Sequence, residues 1–526
     1  MPSLVECALT KTMRIVDNKA LLLTTDLSDE ITSEIKKSAI VKEGDVAIHW
    51  GLKECQALTR IGVLNVPSPM LRDYKWSGKL IPFAHQKTTS SFLTLNKNAF
   101  CFNEQGTGKT ASVIWAADYL MQLGIVKRVL IISPLSVMKS AWQQDLFKFA
   151  MHRSCSVAHG SAAVRKKILN AKSEFVVVNF DGLGIIKQDV IQGGFDMVVV
   201  DEANAYKNPS TNRWKVLRDV LKNIDWLWML TGTPAAQSPL DAYGLAKFVN
   251  PEGTPRTYGL YRSNVMYKIT QFKWLPKPGA DKIVHKMLQP AIRFERADCL
   301  DLPPVTYVDR EAPLTPMQKK YYIKLKKEML FEADGEDISA VNAAASLTKL
   351  LQISCGAVYS DTREVIEFDV SNRLNVVLEV IREASQKVLV FVPFTHTIEL
   401  LDEFLRKNNV SAMVIDGPVN VNKRAEIIAN FQSSLDPRVL IIQPRTAAHG
   451  VTLTAADTII WYSPVTSVET YLQANARINR PGQHHPMEVV HVKGSPAEEK
   501  LYTMLQANIN THNKIIDLYR EVLNGE

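Results

Sequence analysis

Short, uniformly apolar runs recur along the chain, and longer stretches with apolar residues at helical spacing separate them. The first series is RVLIIS (128–133), FVVVNF (175–180), MVVVD (197–201) and WLWML (226–230). After a long gap it resumes with VLVFVPF (388–394), AMVID (412–416), RVLIIQ (438–443), TIIWY (458–462) and EVVHV (488–492). Unbroken Val/Ile runs suit strands of a parallel sheet that helices cover on both faces. Two such series predict two α/β lobes rather than one large core. Residues 1–75 form a separate accessory piece. Residues 251–345, rich in proline, aromatics and lysine with little strand signal, form a bridging or inserted region between lobes at 76–250 and 346–526.

Composition narrows the class. The 526 residues are 46% hydrophobic and 22% charged, as in a water-soluble globular protein, and no apolar run approaches the length of a membrane span. The start, MPSLVECALTKTMR, lacks the long apolar segment of a secretory signal. The six cysteines are scattered with no CxxC pair, which argues against a zinc site or a disulfide framework and fits a reducing cytosol. A formal charge of +8 permits a nucleic-acid partner without demanding one.

The first chemical signal is NEQGTGKT (103–110), between the apolar AFCF and a helical pattern. A strand, a Gly-x-Gly-Lys-Thr turn and a helix expose successive backbone N–H groups to an anion, and the helix dipole adds to the attraction. Gly106, Thr107 and Gly108 would wrap the phosphates of ATP. Lys109 would reach the β- and γ-phosphates, and Thr110 would ligate Mg²⁺. The general phosphate-loop pattern begins with Gly, where this chain has Asn103. Alone, the motif also reads as a glycine-rich turn.

A second signal, MVVVDEAN, puts Asp201 and Glu202 at the carboxyl end of an apolar strand, where α/β sheets bind ligands. Asp201 would hold Mg²⁺ and Glu202 would orient and deprotonate the attacking water. The alternative is an acidic helix start. The phosphate loop some ninety residues upstream favours the catalytic reading.

In order, NEQGTGKT, ISPLSVMKSAWQQDL, FDMVVVDEANAYKNPS and MLTGTPAAQSPLDAYGLAKFVNP resemble the first lobe of superfamily-two helicases, and more narrowly the Swi/Snf-type DNA translocases. The second lobe resembles them through LTKLLQISCG (347–356), KVLVFVPFTHTIELL (387–401) and QPRTAAHGVTLTAADTIIWYSPVTSVETYLQANARINRPGQ (443–483). HKMLQPAIRFERADCLDLPP (285–304) resembles the family's segment leading to Leu-Pro-Pro. The resemblance implies two RecA-like lobes with parallel sheets flanking an ATP cleft, plus a small amino-terminal α/β domain. It places Gln86 at the adenine and assigns Gln473 to the nucleotide. Arg477 and Arg480 would cross from the second lobe to the γ-phosphate. Asn204 stands where the family has His, and Thr446–Leu453 departs from its glycine-rich second-lobe loop.

The same resemblance gives a nucleic-acid track. Thr231, Gly232 and Thr233, with Ser133, Thr446 and Gly450, fall at edges that contact phosphates without reading sequence. Between Arg262 and Arg296, basic residues including Lys268 and Lys273 interleave with aromatics including Trp274, a pattern suited to a phosphate backbone. KKYYIKLKK (319–327) reads equally as a solvated lysine face with its aromatics in the core. The expected activity is a DNA-stimulated ATPase that translocates on duplex, forked or branched DNA as a monomer. It would be cytoplasmic in a prokaryotic or phage-infected cell and nuclear in a eukaryote. A strand-separating helicase on RNA or single-stranded DNA and a nucleotide-gated clamp with little turnover are the alternatives. HWGLKECQALTRIGV (49–63) belongs either to a substrate-recognition domain or to a structural cap.

Overall fold

The Val- and Ile-rich runs form the centres of two parallel sheets in the computed structural model, which describes residues 12–507 apart from 43, 77, 79, 233, 236–237, 270–273, 300–301, 334–339, 360–364 and 448–451. Thr233, Lys273 and Gly450 lie outside the described residues. The chain divides into two compact units, Met1–Cys299 and Leu300–Glu526, so residues 251–299 belong to the first and 300–345 to the second.

The first unit holds a seven-stranded sheet. Its order is Ala291–Ile292, Asn98–Cys101, Trp226–Leu230, Met197–Asp201, Val129–Ser133, Phe175–Asn179 and Cys155–Ala158, with every neighbouring pair parallel. The central strands are apolar up to their last residue because helices cover both faces, and Leu130, Val176, Val198 and Val200 are fully buried. Strand order matters for chemistry. Asn98–Cys101, Trp226–Leu230 and Met197–Asp201 are immediate neighbours, and Leu230 pairs in register with both Cys101 and Asp201. The three loops that follow these strands therefore leave the same sheet edge side by side.

Residues 12–49 add a four-stranded antiparallel sheet in the order Thr12–Val16, Ala20–Thr24, Asp45–His49, Ser38–Lys42. Its first hairpin turns at Asp17 and Asn18, both with positive φ (48° and 52°), as tight hairpin turns require. Alternating Leu21, Leu23, Val46 and Ile48 fill its core. Further along, Tyr74 is tied to the parallel-sheet layer at Asp118, a fully buried carboxylate. Asp118 accepts from Tyr74 Oη (2.7 Å), Arg153 Nε (2.6 Å), His152 Nε2 (2.9 Å) and Gln122 Nε2 (3.0 Å).

The second unit is built on a six-stranded parallel sheet in the order Val305–Glu311, Met487–Lys493, Ala456–Trp461, Lys387–Phe391, Val439–Ile442, Ala412–Ile415. The strand Val305–Glu311 falls in the stretch that showed little strand signal. It is an edge strand whose residues are largely exposed, so its sequence VTYVDRE carries charges where an inner strand carries Val and Ile. Beneath the sheet, Arg373 and Glu498 form a buried bidentate pair at 2.8 and 2.7 Å. Glu498 also accepts from Gly494 N, Ser495 N and Ser495 Oγ.

Candidate active site

The strand Asn98–Cys101 runs through residues 102–108 into the helix Lys109–Gln122. Gly106 (φ 86°) and Gly108 (φ 78°) hold the left-handed conformation that lets the loop curl, at little cost only for glycine. A Cβ on Gly108 would also come within 2.1 Å of Gln86 Nε2. Lys109 Nζ lies inside the curl and donates to the carbonyls of Asn103 (2.7 Å) and Glu104 (3.1 Å). Two left-handed glycines, a lysine within the loop and the amino end of a fourteen-residue helix fit a polyphosphate. Lys109, with the loop from Gly106 to Gly108, could hold ATP phosphates, and Thr110 in the first helical turn could reach their metal ion.

Two residues brace this loop. Gln86, near the start of the helix Ala84–Leu95, accepts from Phe83 N (3.0 Å) and donates to Thr107 O (3.1 Å), and His85 Nε2 is 2.8 Å from the same carbonyl. Gln86 is thus as much a strut beneath the phosphate loop as a candidate contact for a base. Asn103, fully buried, donates from Nδ2 to Thr89 Oγ1 (2.8 Å) and accepts at Oδ1 from Phe294 N (3.0 Å). Alongside, Phe102 N bonds Ile292 O, Glu104 N bonds Phe294 O, and Glu104 Oε2 accepts from Arg296 N. Residues 292–296 therefore run beside the loop and hold it. This support was not legible from the sequence, since nothing marks a contact between positions nearly two hundred residues apart.

The acidic pair stands two strands away. Asp201 Oδ2 accepts from Trp142 Nε1 at 2.9 Å, and Asp201 Oδ1 accepts from Glu202 N at 3.0 Å. Asp201 retains some exposed surface, yet desolvation pushes its carboxyl above the usual range, against the Trp142 N–H, the Lys109 charge and the Glu202 N–H. A bound cation would favour the ionised form instead. Glu202 is a non-glycine residue at φ 51°, ψ 57°. That conformation costs about 1 kcal/mol and turns the chain sharply off the strand end.

Thr231 follows the strand between these two groups. It is buried, and its N–H bonds Cys101 O at 3.1 Å. A Cβ on Gly232 would sit 3.8 Å from Asn103 O, so this turn lies beside the phosphate loop. Ser133 is fully buried at its strand end, with Oγ 3.4 Å from Pro134 O. Lys268 is exposed in a short hairpin opposite Trp274, whose ring carries the Arg262 guanidinium at 4.4 Å. Tyr261, by contrast, is fully buried in the core. In the second unit KKYYIKLKK lies on the helix Pro316–Ala333. Tyr322 is buried and Tyr321 packs on Phe368, while Lys319, Lys320, Lys324 and Lys327 are exposed. There the solvated lysine face is the arrangement observed.

Among the remaining second-unit candidates, Gln473 lies on the helix Val468–Asn475, Arg477 and Arg480 follow it, and Thr446 lies on the short helix Pro444–Ala447. Gln473 Nε2 donates to Glu469 Oε1 (3.2 Å) and Arg477 is 2% exposed. Arg480 is half-buried and donates to Ala476 O and Thr452 Oγ1, both at 3.0 Å. Thr446 Oγ1 donates to Gln443 O at 2.7 Å. Gln483 closes the segment by donating to Ala456 O (2.8 Å) and accepting from His484 N and His485 N.

The SNF2-related domain family matches residues 47–355, and the helicase conserved C-terminal domain matches 372–482. An uncharacterized ATP-dependent helicase of Mycoplasma genitalium is 27% identical over 74% of this chain and 37% of its own length. The mouse chromodomain-helicase-DNA-binding protein 1-like is 26% identical over 79% of this chain and 47% of its own. The chain thus spans less than half of these relatives. It spans 93% of putative protein p41 of Acyrthosiphon pisum secondary endosymbiont phage 1, which is 25% identical over 80% of this chain. Among solved structures, the Sulfolobus solfataricus SWI2/SNF2 ATPase core in complex with dsDNA is 21% identical, with a TM-score of 0.41 over 86% of this chain and 94% of that one. With a phosphate loop, an acidic pair and a Thr-Gly turn on adjacent strand ends, and a family match over more than half its length, the chain belongs to the SNF2-related family and carries that family's ATPase core.

Proposed function

We propose that this protein is an ATP-driven translocase on double-stranded DNA, whose hydrolysis DNA stimulates and which remodels duplex, forked or branched DNA. One observation carries the reading: the phosphate loop, Asp201–Glu202 and Thr231–Gly232 leave three neighbouring strands at one sheet edge. Bound ATP with Mg²⁺ supplies the phosphoanhydride bond whose cleavage drives the cycle. Lys109 and the loop amides hold and neutralise the phosphates. Thr110 and Asp201 hold the metal, and Glu202 orients water and takes its proton. Arg477 and Arg480 are the candidates for the charge that develops on the transferred group. Thr231 and Gly232, next to the phosphate loop, relate the nucleotide to the DNA backbone.

The exposed Lys268 and the Arg262–Trp274 pair add positive charge and a stacking surface in the first unit. The SNF2-related match supports DNA as the track. Such an enzyme works where the cell keeps its DNA: the cytoplasm of a prokaryote, the nucleus of a eukaryote.

The test is ATP turnover on a panel of duplex, single-stranded, forked and four-way DNA and on RNA, beside Lys109→Ala. Stimulation by duplex or branched DNA that Lys109→Ala abolishes is expected. Stimulation by RNA or single strands alone points to a strand-separating helicase. ATP binding without turnover on any substrate points to a clamp.

A further inference from the structure

We propose that Trp142 is a positioning residue for the metal-binding carboxylate: its indole N–H, given to Asp201 Oδ2 at 2.9 Å, fixes the orientation in which Asp201 meets Mg²⁺. The inference rests on the reading of Asp201 as a metal ligand.

Three observations carry it. Trp142 is fully buried, so its single side-chain donor must find an acceptor inside the fold. The acceptor it finds is a carboxylate at the end of a neighbouring element, 59 residues away in sequence. With Glu202 N on Oδ1 and Trp142 Nε1 on Oδ2, each carboxylate oxygen has one fixed donor and keeps lone-pair capacity for a cation or its water. Outer donors of this kind set the angle of a metal-binding group, and their loss typically weakens metal binding about 10–100-fold.

The third observation is the backbone that carries Trp142. Met138–Gln143 is a π-helical turn, a rare widening of the helix that is retained mostly at functional positions. It packs over the strands Cys155–Ala158 and Phe175–Asn179 and continues directly into the helix Gln144–Phe149. At its other end a single 3-10 turn, Leu135–Val137, connects it to Ser133 and Pro134. The turn therefore joins an expected phosphate-backbone contact to a donor on the metal carboxylate with no intervening irregular loop. A tryptophan serving only as core filler needs neither the widened turn nor an acidic partner.

Trp142→Phe keeps a ring in the core and removes the N–H. Benzothienylalanine at position 142 keeps the bicyclic shape as well and removes only the donor. Trp226→Phe, at the far end of a central strand and 2% exposed, controls for lost volume. The measurement is the affinity of a fluorescent ADP in Mg²⁺ and in EDTA, with Mn²⁺ binding followed by electron paramagnetic resonance. Both position-142 variants should bind ADP within about twofold of the parent in EDTA and lose about tenfold in Mn²⁺ affinity and in the Mg²⁺-dependent gain. Trp226→Phe should leave both unchanged. Wild-type metal dependence in the benzothienylalanine protein overturns the proposal, whatever Trp142→Phe does to folding. If the unsubstituted protein shows no metal-dependent ADP binding, the ATPase reading fails instead.

Discussion

Asn103 Oδ1 accepts the backbone N–H of Phe294 at 3.0 Å, across 191 residues of sequence. The same side chain donates to Thr89 Oγ1, and the backbone carbonyl of Asn103 receives Lys109 Nζ. One buried amide thus connects a helix, an edge segment and the phosphate loop. Asn103→Leu keeps the volume and strands the Phe294 N–H, a loss of about 1–3 kcal/mol that urea unfolding will read. ATP affinity should fall about tenfold as the loop that carries the backbone acceptors of Lys109 loses its side-chain anchor, a change of about 1.4 kcal/mol. Asn103→Asp keeps the acceptor for Phe294 and should recover most of the stability.

Lys109 and Glu202 should separate binding from chemistry. Glu202→Gln keeps shape and removes the proposed base, so turnover should fall about 10²–10⁴-fold with ATP affinity nearly unchanged. Lys109→Ala should lose affinity as well as turnover. Equilibrium nucleotide binding and single-turnover kinetics on both variants check the split.

Arg373 and Glu498 are almost completely inaccessible, and Glu498 satisfies three further donors. Desolvation disfavours the Arg373 charge, but the facing carboxylate overcomes it and holds the guanidinium well above its ordinary pKa. Arg373→Met leaves a buried carboxylate without its counter-ion and should destabilise the second unit by about 3–5 kcal/mol. Adding Glu498→Gln should return part of that loss. Denaturant unfolding of the single and double variants measures both.

His491 gives the second unit a pH dependence. Its ring is fully buried between Tyr471, Tyr502 and Tyr307, with Asp309 and Gln506 at Nδ1 and Lys493 nearby. Burial lowers its pKa from 6.5 to about 4, partly opposed by Asp309. The unfolded chain therefore binds the proton first as pH falls. The stability is complete above pH 6.5, declines from there, and is lost by about pH 4, a total of about 3 kcal/mol. His491→Gln should flatten this slope when unfolding is measured between pH 7.5 and 4.5.

The inner strands were legible because burial on both faces leaves their sequence no alternative to Val, Ile and Leu. Val305–Glu311 was not, since an edge strand exposes charge to solvent, and Ala291–Ile292 is too short to show a pattern. The phosphate loop and Asp201–Glu202 stood out because phosphate and metal chemistry restrict residue type and spacing. Trp142, Phe294 and Arg296 did not. Trp142 acts through an indole N–H placed by the fold and Phe294 and Arg296 through backbone N–H groups, and a backbone N–H carries no residue signature at all. KKYYIKLKK showed the reverse problem, because a basic aromatic segment reads alike whether its rings face nucleic acid or, as here, the core.

The strand Ala291–Ile292 has a consequence for biosynthesis. Until it emerges from the ribosome, the N–H groups of Phe100, Phe102 and Glu104 lack their carbonyl partners on residues 290–294. At elongation speeds of about 5–20 residues/s the 191 residues separating Asn103 from Phe294 take roughly 10–40 s to translate. During that interval the nascent sheet carries an open border, and a nucleotide-competent loop is completed only when the late segment docks. Fragments cut before residue 290 should consequently associate through that border instead of binding ATP.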